Sequence, residues 1–333
     1  MFRQAEKSWL GWKVVLLALA SMLLLALHPV ARAQQPAIDV VATIGMIGDV
    51  AGEIAGPCGR ITTLMGPGVD PHLYQPTSGD VRDLQNADLI LYAGLSLEGQ
   101  LGEVLDRFSQ RTPTVAVSDR AVPVANRIAA SEGYAYDPHV WMDASLWADA
   151  VFVMADALAE RAPGCADAMH ARADRYAMEL RALHGWMRDA LATIPEGQRV
   201  LVTAHDAFEY FGRAYGLELA AIQGISTESE ASLADIRAVT RLIVEQGVPA
   251  VFVETTIAPR TLQAVLDAAR DQGSRVTLGG DLYGDALGEA GTLAGSYLGM
   301  MFVNTRTIVE ALGGTLPDLP SELDAWRERS GAR

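Results

Sequence analysis

The segment ADAMHARADRYAMELRALHGWMRDALAT, residues 166–193, sets the architecture of this chain. Met169, Ala173, Tyr176, Leu180, Leu183, Met187 and Leu191 recur at steps of three and four, laying one apolar stripe along a helix. Pro195 and Gly197 in the following IPEG end it. Its 28 residues would span roughly 42 Å at 1.5 Å each, enough for a stiff rod between two bodies. Before it, DVVATIGMI (39–47), RITTLM (60–65), LILYAG (89–94) and TVAVS (114–118) read as short buried strands. SGDVRDLQNA and SLEGQLGEVLDRF between them read as helices. After it, RVLVTAH, LELAAIQ, AVFVETTI and RVTLGG alternate with DAFEYFGRAYG, SLADIRAVTRLIVEQG and PRTLQAVLDAARDQG. The alternation stops before the rod and restarts behind it. We therefore expect an α/β chain of two lobes, each a small parallel sheet flanked by helices, joined by one long rigid helix.

The expected divisions are a leader over 1–33, a first lobe over 34–165, the linking helix over 166–194 and a second lobe over 195–333. The leader follows from a basic start, the apolar run VVLLALASMLLLAL (14–27) and the small-residue pattern ARA at 31–33. The run is short of the roughly 20 residues of a membrane span. Cleavage after Ala33 with no cysteine nearby predicts a soluble periplasmic form without a lipid anchor. The first 33 residues carry four basic side chains and one acid, so their loss takes the formal charge from −15 to −18. Such a charge disfavours nucleic acid and anionic lipid and favours a soluble monomer. Cys58 and Cys165 either pair in this oxidising compartment or stay as two thiols, and their spacing fits no cysteine metal site.

Two Asp-Pro-His units, VDPHLYQP (69–76) and DPHVWMD (137–143), stand out in a chain with six histidines. His28 falls in the leader, while His170 and His184 lie on the long helix and read as solvated. The remaining three are His72 after the second strand, His139 before ASLWADAVFVMADALAERA and His205 at the end of RVLVTAH. All three fall at strand ends or loop–helix junctions, the edge where open α/β sheets bind ligands. Singly, each reads as a hydrogen-bonding loop residue. Together, without cysteines, they suit a divalent transition metal held across a cleft. A fourth ligand would follow the last strand, where GGDLYGDALGEAG offers both Asp281 and Asp285. Asp70 and Asp137, two residues before their histidines, either accept from free ring nitrogens or only hold the turns. Glu254 reads as a strand-end carboxylate that orients a ligand, or else as the base of a metal-dependent hydrolase.

The motifs DPHLYQPTSGD, DPHVWMD, TAHDAFEYFGRAYGLE and GGDLYGDALGEAGT, in this order, resemble the zinc- and manganese-binding solute receptors of ATP-binding-cassette importers, the TroA/ZnuA-like family. The resemblance covers nearly all of the chain behind the leader. It implies His72, His139 and His205 as ligands and, through the aromatic-x-Asp-small segment YGDA, Asp285 over Asp281. The family's third ligand is often Glu in manganese receptors and His in zinc receptors, and here it is His205. The His- and acid-rich loop of many zinc receptors has no counterpart in VPVANRIAASEGYAYDPH. A nitrogen-rich shell favours zinc, with manganese or iron as the alternative cargo. The expected partner is the importer's membrane permease. Four protein ligands argue for carriage over catalysis. Proton competition for imidazole is expected to weaken binding below about pH 6.

Overall fold

Each apolar run before the long helix becomes a strand of one parallel sheet in the computed structural model, which describes residues 36–130 and 133–332. The expected leader lies outside the described residues. β1 (Ile38–Ile44), β2 (Gly59–Met65), β3 (Leu89–Tyr92) and β4 (Thr114–Ala116) lie in the order β2-β1-β3-β4. Val40 is opposite Ile61 on one side of β1 and Leu89 on the other. The chain thus leaves β1 in both directions, and a crevice opens at the carboxyl ends of the strands where it does so. In the second lobe β5 (Val200–His205) pairs in parallel with β6 (Glu218–Gln223), and β7 (Ala250–Glu254) with β8 (Thr277–Leu282). β5 and β7 lie alongside each other, which puts His205 and Glu254 at neighbouring strand ends.

The helices follow most of the expected segments, but Gly45–Ala55 and Val117–Ala121 each take the end of a run expected as strand, and Tyr297–Ala311 and Asp324–Ser330 have no expected counterpart. GMIGDVAGEIA is α1 (Gly45–Ala55), although its first three residues were read as a continuation of the first strand. Met46, Ile47, Val50, Ala51, Ile54 and Ala55 are buried at helical spacing and Asp49, Gly52 and Glu53 lie on the other face, but the apolar GMI continues directly from the largely apolar DVVATI and hides the boundary. α2 (Ser78–Asn86), α3 (Gly99–Phe108) and the short α4 (Val117–Ala121) complete the sheet connections. α5 (Ala144–Arg161) is N-capped by Asp143, whose carboxylate accepts from the Ser145 amide.

The rod is α6 (Ala166–Leu191), 26 residues or about 39 Å long, and every member of its apolar stripe is buried. It packs against α1 and α5 of the first lobe. The Arg172 guanidinium donates to the carbonyls of Ile54 and Ala55 at 2.6 and 2.7 Å, closing the end of α1. Cys58, just ahead of β2, is disulfide-bonded to Cys165, just ahead of α6. The second lobe adds α7 (Glu209–Tyr215), α8 (Leu233–Gln246), α9 (Arg260–Asp271), α10 (Tyr297–Ala311) and α11 (Asp324–Ser330).

α10 is a second bridge that the sequence did not announce. It packs on β8, α6 and α1, and the Tyr297 amide at its start donates to Asp49 of α1 at 2.8 Å. The Tyr297 hydroxyl donates to the Trp141 carbonyl of the first lobe at 2.6 Å. The principal apolar core accordingly runs without a break from β1 through α5 and α6 to Tyr297, Met301 and Phe302. A smaller core of Val202, Ile243, Val251 and Val265 belongs to the second lobe alone. Among the described residues no helix is long and apolar enough to cross a membrane.

Candidate metal centre

His72 sits in the loop between β2 and α2. Its amide donates to the Asp70 carboxylate at 2.9 Å, and the other oxygen of that carboxylate accepts from the Thr227 hydroxyl at 2.6 Å. Asp70 therefore holds the turn and does not meet the His72 ring. A Cβ on Gly99, at φ +44°, would stand 2.7 Å from the His72 carbonyl oxygen, so only glycine allows this approach. The ring Nδ1 lies 3.4 Å from the Tyr134 hydroxyl.

His139 precedes a short turn over Val140–Met142 that leads into α5. One oxygen of Asp137 takes both the His139 amide, at 2.9 Å, and its Nδ1, at 2.7 Å. The same carboxylate thus holds the turn and orients the ring. His205, the last residue of β5, is treated alike by Glu254. The His205 amide donates to Oε1 at 2.8 Å, and Nδ1 lies 2.6 Å from Oε2. In all three histidines Nδ1 has an outward neighbour, Tyr134, Asp137 or Glu254, and Nε2 faces the centre. The His205–Glu254 side-chain contact is an ion pair and not a well-directed hydrogen bond.

Asp285 follows β8 by three residues, and its loop is pinned from two sides. The Asn304 amide group bonds both the Tyr283 amide, at 2.9 Å, and the Tyr283 carbonyl, at 2.8 Å. The Trp141 indole of the first lobe donates to the Gly284 carbonyl at 2.9 Å. A side chain at Gly284 would meet Glu254 Oε2 at 2.6 Å, so glycine keeps the wall behind His205 open. Asp281 stays on the exposed side of β8, outside the cluster.

The structure brings His72, His139, His205 and Asp285 together, fully buried, with their donor atoms all within 4.8 Å of one another. Asp285 Oδ2 is 3.4 Å from His72 Nε2 and 3.1 Å from His205 Nε2, and Oδ1 is 3.3 Å from His139 Nε2. The Nε2 atoms of His72 and His139 are 3.3 Å apart. Donors around a tetrahedral divalent ion at about 2.0–2.2 Å stand about 3.3–3.6 Å apart, so these four contacts are of the size at which one small cation could be held. Both Asp285 oxygens and His205 Nε2 are buried without a well-directed hydrogen bond among the described residues. They stand in ion-pair range of one another around a common point.

With no metal present, protons take its place. Burial alone would lower the His139 imidazole, but the Asp285 and Asp137 carboxylates outweigh it and lift it to about 9. Burial likewise opposes Glu254 and Asp285 at His205, and the carboxylates again win, well above the ordinary imidazole value. Burial would raise Asp285, yet the facing His205 and His139 rings hold it well below the usual carboxylate range. In the metal-free site the facing carboxylates thus favour protonated His139 and His205 rings well above the ordinary imidazole range.

Of the other histidines, His170 is exposed beside Asp156, as expected. His184 is half-buried between the Tyr215 hydroxyl, at 3.2 Å, and Asp143, at 3.6 Å, so it is packed and not solvated. Trp141, Asn304, Tyr134 and Thr227 were not singled out from the sequence. Only Trp141 carried a signal there, as the large aromatic two residues beyond a site histidine.

The family model described as "ZnuA: Zinc-uptake complex component A periplasmic" matches residues 40–311. The manganese-binding lipoprotein MntA of Bacillus subtilis is 43% identical over 275 residues, covering 83% of this chain and 90% of that protein. The zinc-binding protein TroA of Treponema pallidum is 45% identical over 273 residues, covering 82% and 88%. The solved structure of periplasmic TroA superposes with a TM-score of 0.81 at 44% identity, over 83% of this chain and 99% of that one. The iron-binding protein YfeA of Yersinia pestis is 32% identical over 275 residues, covering 82% and 86%. That MntA is named a lipoprotein runs against the unanchored form expected here. With a family match across most of its length, a TroA-like fold and a buried three-histidine, one-aspartate cluster, the chain belongs to the ZnuA/TroA family of metal-binding solute receptors of ABC transporters.

Proposed function

We propose that this protein is a periplasmic zinc receptor, ligating one ion with His72, His139, His205 and Asp285 and passing it to the permease of an ABC importer. The observation that carries the reading is the donor set, three imidazole Nε2 atoms and one carboxylate at 3.1–3.4 Å contacts. Nitrogen donors suit zinc, and zinc stands above manganese in divalent affinity. The first lobe, 34–165, supplies two ligands and the second, 195–333, the other two, with 166–194 between them. Metal ties the lobes together and shifts the population toward the closed form. Residues 1–33 act as the export leader in this reading, and the receptor works as a monomer.

Manganese is the second reading. Both Asp285 oxygens face the cluster, which offers a fifth donor to an ion that prefers oxygen, and the MntA relative is named for manganese. A hydrolase is disfavoured because four protein donors leave no open position for water, while Glu254 is engaged by His205 and is not a free base.

The test is a competition titration of chelator-stripped protein with zinc and manganese, alongside native mass spectrometry of the parent and His205→Ala. One zinc per chain, bound tighter than manganese and weakened in the variant, is the expected result. Tighter manganese binding would overturn the choice of metal, and an unaffected His205→Ala would overturn the site.

A further inference from the structure

The three site imidazoles are not held alike. His139 and His205 each have a carboxylate on Nδ1, from Asp137 and Glu254. His72 has a phenol, Tyr134, at the longer distance of 3.4 Å. Hydrogen bonds to an ionised acceptor are about twice as strong as those between neutral groups, so the His72 ring is the least firmly oriented of the three.

What does hold His72 comes from across the cleft. Its amide rests on Asp70, and Asp70 is held through its second oxygen by the Thr227 hydroxyl at 2.6 Å. Its ring rests on Tyr134, and the Ser226 side chain lies close enough to the Tyr134 phenol to act on its titration. Ser226 and Thr227 are consecutive residues of the loop between β6 and α8 in the second lobe. Thr227 is buried, as is its neighbour Ile225, so the loop is seated rather than free.

We propose that Ser226 and Thr227, acting through Tyr134 and Asp70, are the positioning residues of His72, and that the β6–α8 loop is the latch that lets this ligand go first. The inference rests on the reading of His72 as a metal ligand. When the loop is seated, both supports of His72 are fixed. When it lifts, both are lost in one movement while His139 and His205 keep their own carboxylates. Release then begins at a single ligand and leaves the rest of the cage standing. Residues that touch no metal thereby set how long it stays.

The experiment mixes zinc-loaded protein with excess EDTA and follows dissociation by stopped flow, for the parent, Thr227→Val, Thr227→Ser and Tyr134→Phe. Thr227→Val should release zinc about tenfold faster, the size of a lost hydrogen bond to a charged acceptor. Its association rate should stay within about twofold, and its metal-free melting temperature should fall by no more than the few degrees one lost hydrogen bond accounts for. Thr227→Ser, which keeps the hydroxyl, should release at the parent rate, and Tyr134→Phe should fall between. Against a His72→Ala background, Thr227→Val should add nothing, because the supported ligand is gone. An unchanged dissociation rate in Thr227→Val, or an equal acceleration with and without His72, would overturn the latch. If His72→Ala bound zinc like the parent, the ligand assignment itself would fall, and that result is read without the latch variants.

Discussion

Asp137 turns His139 from a loop residue into a directed donor, since one carboxylate oxygen fixes both its backbone amide and its Nδ1. Asp137→Asn keeps the shape but replaces an obligate acceptor with a group that can also donate, and so loosens the choice of ring tautomer. Metal affinity should fall by about 10–100-fold with the fold intact, measured by competition with a chromogenic chelator and by circular dichroism. The three histidines were readable because strand ends and Asp-Pro-His turns are local features. Choosing between Asp281 and Asp285 was not a local matter. Asp281 lies within β8 itself and Asp285 three residues past its end, and the loop that carries Asp285 inward is held by Asn304 and Trp141, which arrive from α10 and from the first lobe. Thr227 was unreadable for the same reason: its partner Asp70 is 157 residues away.

At the level of elements, each of the eight strands lies within or beside the run that foretold it. Short apolar runs bounded by turns leave few alternatives in a parallel sheet. The start of α1 escaped because its GMI runs on from the apolar strand before it, so only the later Asp49 and Glu53 mark the helical period. α10 escaped for a related reason, its YLGMMFVNTRTIVEA being apolar over most of its circumference. The disulfide could be offered only as one of two outcomes, since nothing in a sequence brings Cys58 to Cys165. It closes a loop of 107 residues that takes in most of the first lobe. In the chain-entropy account such a loop stabilises by about 4–5 kcal/mol. Urea unfolding of Cys58→Ser/Cys165→Ser should show a loss of that order, with reductant moving the parent to the same midpoint. Equal midpoints for parent and variant would mean that the bond contributes nothing to stability.

Across the whole molecule, between about pH 6 and 9, raised groups among the described residues outnumber the one lowered imidazole, His184, so the metal-free fold holds more protons there than the unfolded chain. Burial raises Glu98 to about 7 and Asp49 and Asp206 to about 6, while neighbouring carboxylates raise His139 to about 9 against burial. A raised imidazole adds stability that is complete below its unfolded value of about 6.5 and lost as pH climbs through about 9. A raised carboxylate weakens the fold as pH climbs from about 4 through its folded value. Both trends have the same sign. Chelator-treated protein should therefore unfold at lower urea at pH 9 than at pH 6. With zinc, which takes the place of the protons, the order should reverse. A midpoint independent of pH in metal-free protein would contradict the charge arrangement described for the site.

Two helices, not one, run between the lobes: α6 along its full length, and α10 from Asp49 and Trp141 to β8. A body braced by a single strut can twist about it, but two struts fixed at both ends suppress torsion as well as bending. Closure on metal, in the proposed reading, is then confined to a small rocking or a local loop movement and not a wide hinge. A permease reading that change would find little of it in the overall silhouette. The message has to be written in fine print at the rim of the cleft, in whether a few hydroxyls still reach their partners on the opposite bank.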